Sequence, residues 1–121
     1  SLEAGTYKID WSAPAHNCKL HQSILAYSTT QGQISAAGLH ASASYVEGTS
    51  EDAHNGSNIQ TRSFGSKVIT VAATTWFKIL HICSEDAFSE GLGMPGNTSM
   101  FNTAPSTNRK EIYTQVSIQK Y

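Results

Sequence analysis

The chain has 121 residues, a formal net charge of −1 from eight Lys+Arg and nine Asp+Glu, and only 14% charged residues, against a usual share of about 25%. That length suits one domain spanning 1–121, with enough buried surface for a core of its own. The composition excludes several classes: there is no basic cluster for nucleic acid, no apolar run of membrane-spanning length, and no signal-peptide pattern at the start.

In chain order, period-two alternation of apolar and polar residues predicts strands at about Thr6–Ala13, Lys19–Ser28, Leu39–Glu47, Ile59–Val71 and Thr75–Cys83. A short piece near Gly91–Met94 and a long closing strand over Glu111–Lys120 complete the set. "SAAGLHASASYVEG" has helix-forming alanines, but Gly38 and the alternation of Leu39, Ala41, Ala43 and Tyr45 favour a strand. Polar or Gly-containing stretches separate the strands: "TTQGQ", "EGTSEDAHNGSN", "VAATT" and "SEDAFSEG". "GMPGNTSMFNTAPSTNR" is the longest irregular stretch and reads as a functional loop. Many strands without a convincing helix predict an all-β, antiparallel fold, a β-sandwich or jelly roll.

Catalytic signals are absent from the pattern. Glu85, Asp86 and Glu90, and likewise Glu47, Glu51 and Asp52, form acidic clusters. Both fall in expected loops without a fixed aromatic platform, so they read as solvated acids rather than a glycosidase pair. No nucleophile elbow occurs, and "GLGMPG" lacks the Lys and helix of a phosphate loop. Two sequons, Asn55-Gly56-Ser57 and Asn97-Thr98-Ser99, matter only in a eukaryotic secretory pathway. The expectation is no enzyme and no cofactor.

"CKLHQ" and "LHIC" bring Cys18, His21, His81 and Cys83 onto two strands. If His21 stands opposite His81, Cys18 falls near Ser84 and a four-ligand zinc site can be drawn. Cys18 and His21 are three apart, however, which places them on opposite faces of an ideal strand. The histidines therefore read as hydrogen-bonded and structural, with no metal. The cysteines read as buried free thiols, with one bridge open to them if their strands are neighbours. Tyr7, Trp11, Trp76, Phe77 and Tyr113 are core candidates.

Several stretches, taken in order, resemble a known family. "AGTYKIDWSAPA", "HQSILAYSTTQG", "EGTSE", "WFKILHIC", "GLG" and "EIYTQVSIQKY" together resemble the C-terminal jelly-roll domain of bacteriophage tail-fibre and other phage virion structural proteins. The resemblance runs from Ala4 to Lys120 and rests on the ordered set, since no single piece is specific. It implies a homotrimeric head like those of tumour-necrosis-factor-type proteins, located in the virion on a tail fibre or capsid surface. His21 and Gln22 match its HQ pair, His81 its L-x-H histidine, and Tyr113 its closing strand, all as structural positions. The chain departs from the pattern in three ways. Two strands that usually precede AGTY are missing, supplied elsewhere or cut away. Cys18 replaces an ordinary apolar residue, and the stretch between Gly93 and Lys110 is longer.

On this reading a trimeric tip binds a bacterial surface glycan or lipopolysaccharide through loops that a rigid scaffold holds. Glu51, Asp52, His54, Asn55, Phe88, Asn97, Phe101 and Asn102 are the candidate contacts. Capsid decoration or head-fibre assembly without a ligand is one alternative, with other virion proteins as partners. A cellular lectin or complement-head-like recognition domain is another. The closing strand is expected to lie inside a sheet and to hold the scaffold together rather than bind.

Overall fold

Twelve residues, Gly5–His16, which alternate up to Trp11 and are buried from there on, form the central strand β1 of the first sheet. A computed structural model describes residues 1–16, 18–53, 59–84 and 114–121. Among them, β2 spans Lys19–Ser28, α1 Gln31–Ser35, β3 Ser44–Ala53, β4 Gln60–Val71, β5 Trp76–Cys83 and β6 Gln115–Lys120. The strands form two three-stranded antiparallel sheets, ordered β4-β1-β6 and β3-β2-β5, packed as a β-sandwich.

The inward residues of β1 are Tyr7, Ile9, Trp11, Ala13 and Ala15, all buried. Tyr7, Ile9 and Trp11 join Leu25 of β2 and Ile69 and Val71 of β4 in the main core. The outward residues Thr6, Lys8 and Asp10 are polar, as a half-solvated antiparallel sheet requires. Pro14 lies beyond the described β6 ladder, which ends at Ser12. Its missing N–H therefore costs β1 no bond to that strand.

β2 is buried on both faces along most of its length. One face meets the first sheet. On the other side α1, with Ile34 buried, packs on β2 and β5. Lys78 Nζ pins the chain after the helix by donating to the carbonyls of Ala36 and Gly38 at 2.8 and 2.7 Å. This helix stands where "TTQGQ" predicts only a break. It is five residues long and buries one side chain, too little to leave a periodic signature.

The third strand departs from expectation. It starts at Ser44 and runs to Ala53, so Leu39–Ala43 are not strand, while most of the expected break "EGTSED" is. Its register against β2 is the reason. Gln22 faces Ser50 but Ile24 faces Glu47, so Gly48 and Thr49 together oppose Ser23. This β-bulge bends β3 towards β4. Phe64 N then donates to Thr49 Oγ1 at 3.0 Å, and Ser63 Oγ to the Thr49 carbonyl at 2.6 Å. Gly48 is dictated by the crowding, because a Cβ there would lie 2.6 Å from Ser23 Oγ and 2.8 Å from the Phe64 carbonyl.

The two sheets are thus stitched along the β3/β4 side, while β5 and β6 barely meet on the other. β6 is an edge strand among the described residues, not an interior one as its alternation suggested. Val116 and Ile118 stand opposite Trp11 and Ile9 and so point inward, yet each remains 48% exposed. With Leu2, Ile9, Leu25, Phe77 and Ile79 they line an apolar cavity of about 240 Å³.

Candidate functional site

The chemistry-bearing side chains converge between the sheets, in two polar chains that start from β2. In the first, the Trp11 indole Nε1 donates to Ser23 Oγ at 2.9 Å. Ser63 Oγ spends its single hydrogen on the Thr49 carbonyl. Ser23 Oγ therefore donates to Ser63 Oγ at 2.7 Å, and Ser63 also accepts the Ser23 backbone N–H at 2.9 Å. Every donor in this buried chain is used, which is the condition for a polar group to be tolerated in a core.

The second chain holds the histidines. Thr61 Oγ1 donates to the Asp52 carbonyl at 3.1 Å, so it accepts from His21 Nε2 at 2.8 Å. That fixes His21 with its proton on Nε2 and a lone pair on Nδ1. His81 Nε2 then donates to His21 Nδ1 at 2.9 Å, with the rings edge-on at 5.0 Å. His21 must be neutral for this chain to exist, because its Nδ1 lone pair accepts, whereas His81 needs only its Nε2–H. Burial lowers the pKa of His21, while Glu51 and Asp52 oppose the shift. Burial, then the neighbouring His21, push His81 down to about 4.

These rings are poor catalysts as placed. The His21 lone pair is occupied, and His81 Nδ1 is buried with no hydrogen-bond partner among the described residues. No group of three or more His, Cys, Asp or Glu among the described residues is arranged to hold a metal ion. The register differs from the one that suggested zinc: His21 faces Cys83, and His81 faces Ser23. The two histidines meet diagonally instead. Lys19 resolves the odd Cys18–His21 spacing by taking a left-handed φ of 59°. The turn lets Cys18 and His21 both be buried while Lys19 and Leu20 are exposed.

Gln22 completes the HQ pair by donating from Nε2 to the Gly48 carbonyl at 2.9 Å, across the bulge. His21 and His81 are therefore packed positions in the seam that joins the sheets, whereas Gln22, on the opposite face of β2, ties it to β3 of its own sheet. Glu51 and Asp52 lie in β3, opposite His21 and Leu20, rather than in a loop. Glu51 is partly buried, and Asp52 is exposed beside the 56%-exposed Leu20. His54, Asn55, Phe88, Asn97, Phe101, Asn102 and Tyr113 lie outside the described residues, as does the Gly91–Met94 strand. Ser23, Thr49, Thr61 and Ser63, which carry both polar chains, were not singled out from the sequence. Gly65, inside a strand, was the available pointer, since a strand glycine signals close approach.

Acid should loosen this seam. An unfolded histidine titrates near 6.5, and the folded His81 near 4. Between those values the unfolded chain binds more protons, so stability is full above about pH 6.5, falls as pH drops, and levels below about pH 4. The loss should be roughly 1–2 kcal/mol after allowing for solvent around a partly exposed ring. His81→Gln keeps a donor for His21 but cannot titrate. Melting curves between pH 7 and 4 should slope less for the variant, and equal slopes would refute the role given to His81.

No family model matches this chain, and no curated protein or solved structure is significantly similar to it.

Proposed function

We propose that the chain is a non-enzymatic head domain of a phage virion protein. In this reading it is a trimeric jelly roll, like tumour-necrosis-factor-type heads, that caps a tail fibre and binds a host surface glycan. The observation that carries the assembly part is the open β5/β6 side. Val116 and Ile118 are inward-facing apolar residues that the described residues leave half-exposed. A second copy closing that side removes them from water, and such interfaces resemble a core cut in half.

The virion part of the reading rests on the family resemblance. Its pattern positions His21 and His81 fall in the hydrogen-bonded seam, and Gln22 is bonded to β3 of its own sheet, which supports a structural role for them. A charge-poor surface rich in hydroxyl and amide groups suits neutral glycans. Weak sites repeated around a symmetric head gain avidity without any new contact. The alternative, capsid decoration without a ligand, needs the same assembly but no recognition surface.

The folded oligomer should bind bacterial surface polysaccharide or lipopolysaccharide on a glycan array, and whole host cells by flow cytometry. Binding is expected to weaken sharply when a single copy is presented. Folded oligomers that bind no bacterial glycan and no cells, with antibody labelling confined to the capsid shell, would move the chain to the decoration reading.

A further inference from the structure

Cys18 lies just before β2, and Cys83 is the last residue of β5. Those two strands are antiparallel neighbours, with His21 facing Cys83. An extended backbone at Lys19 would carry Cys18 to the other side of the sheet. The left-handed turn at Lys19 brings it back instead. Left-handed backbone is uncommon for a residue with a Cβ, and strain of that kind is often stored where a particular juxtaposition is needed.

The turn places the Cys18 thiol in a small satellite core with Ala15 of β1 and Ala53 of β3, against which Cys83 packs. The two thiols are neighbours in this cluster, and neither is bridged. Cys18 is fully buried, whereas Cys83 is partly exposed. Ser84 fixes the frame around them. Its N–H donates to the Leu20 carbonyl at 2.8 Å, and its Oγ accepts the Leu20 N–H at 3.1 Å.

We infer that Cys18 and Cys83 form a redox latch, which a small-molecule disulfide such as oxidised glutathione closes into an intramolecular cystine. The order of events follows from access. The Cys83 thiol loses its proton to solvent, and its thiolate attacks one glutathione sulfur. The glutathione S–S bond breaks, and one glutathione thiolate leaves and takes up a proton. Cys18 then gives up its proton and attacks Cys83 Sγ, expelling the second glutathione as its thiol. Two protein thiols are oxidised and one glutathione disulfide is reduced.

Burial, followed by the neighbouring Cys83 thiol, pushes Cys18 up to about 12. It is therefore the resolving thiol and not the first nucleophile. The closed latch ties the start of β2 to the end of its neighbour β5 within one sheet, closing a long stretch of chain between positions 18 and 83. A chain assembled under reducing conditions and released into an oxidising medium gains stability at that point. This holds whether or not the head binds a glycan.

The test uses the full chain, fully reduced and then incubated with excess oxidised glutathione. Intact mass should fall by two hydrogens, and maleimide should label no thiol after denaturation. The melting temperature should rise by roughly 10 °C, as expected for a bridge closing a loop of this length. Dithiothreitol should reverse all three changes. Cys18→Ala should instead retain one glutathionyl group on Cys83. A wild-type chain that keeps both thiols, keeps a glutathionyl group, or cross-links to a second copy would overturn the latch. The wild-type mass decides the matter even if the variant fails to fold.

Discussion

Replacing Gly65 with alanine is expected to destabilise the fold by roughly 3–5 kcal/mol, a large part of the total stability of a small domain. The added Cβ would lie 1.9 Å from Cζ2, 2.2 Å from Cε2 and 2.5 Å from Cη2 of Trp11. The indole covers the backbone of Gly65, its direct partner across the ladder. It cannot simply swing aside, because Nε1 is committed to Ser23 Oγ. Moving the ring would leave Ser23 without the indole donor, in a place closed to water. In an ordinary strand the same change would be mildly favourable, since glycine weakens strands. The sign therefore depends on Trp11. Urea denaturation of G65A, W11L and the double variant should show strong coupling, with the double variant much better than the sum of the singles. A G65A chain within about 0.5 kcal/mol of the wild type would mean that Trp11 does not lie where the hydrogen bonds place it.

The second large effect concerns assembly. If the proposed assembly closes on this side, Ile118→Asp should weaken association by at least about 100-fold, because a carboxylate would be desolvated where two copies meet. The side chain lies in the ladder opposite Ile9 and points into the apolar cavity shared with Phe77 and Ile79. Within one copy it is 48% exposed, so the charge can still reach water when the chains are apart. Val68→Asp is the matching control. Val68 is 53% exposed but sits opposite Lys8, on the outer face of the same sheet. If size-exclusion light scattering shows that V68D dissociates and I118D does not, the interface lies on the outer face and the open β5/β6 side is not the meeting surface.

The sequence carried much of the fold, and the reasons for the exceptions are physical. Alternation in "TYKIDW" was legible because one face of the segment packs into the core, and β2, buried on both faces, still matched its expected bounds. β3 was not legible, because its bulge at Gly48 and Thr49 shifts the strand along the chain. "EGTSED" is polar because an edge strand bent against a second sheet satisfies polar groups with hydrogen bonds, not because it is a loop. The histidine seam was half legible. The residues were the right ones, but a register two residues away from the expected one turns a drawn metal site into a hydrogen-bonded pair. The serine and threonine partners carried no signal of their own in a chain so rich in both.

The open side between β5 and β6 was invisible to any pattern, because Val116 and Ile118 alternate like well-buried residues. Only the placement of β6 at an edge, with a cavity between it and β5 of the other sheet, shows them half in water. That mismatch between pattern and exposure is the physical basis for expecting a second copy there.

Sedimentation velocity of the wild-type chain at micromolar concentration is the most direct measurement. The expected result is a single trimeric species with no folded monomer at any dilution that remains measurable, as for obligate oligomers. A stable, well-folded monomer with β6 in place would contradict the account.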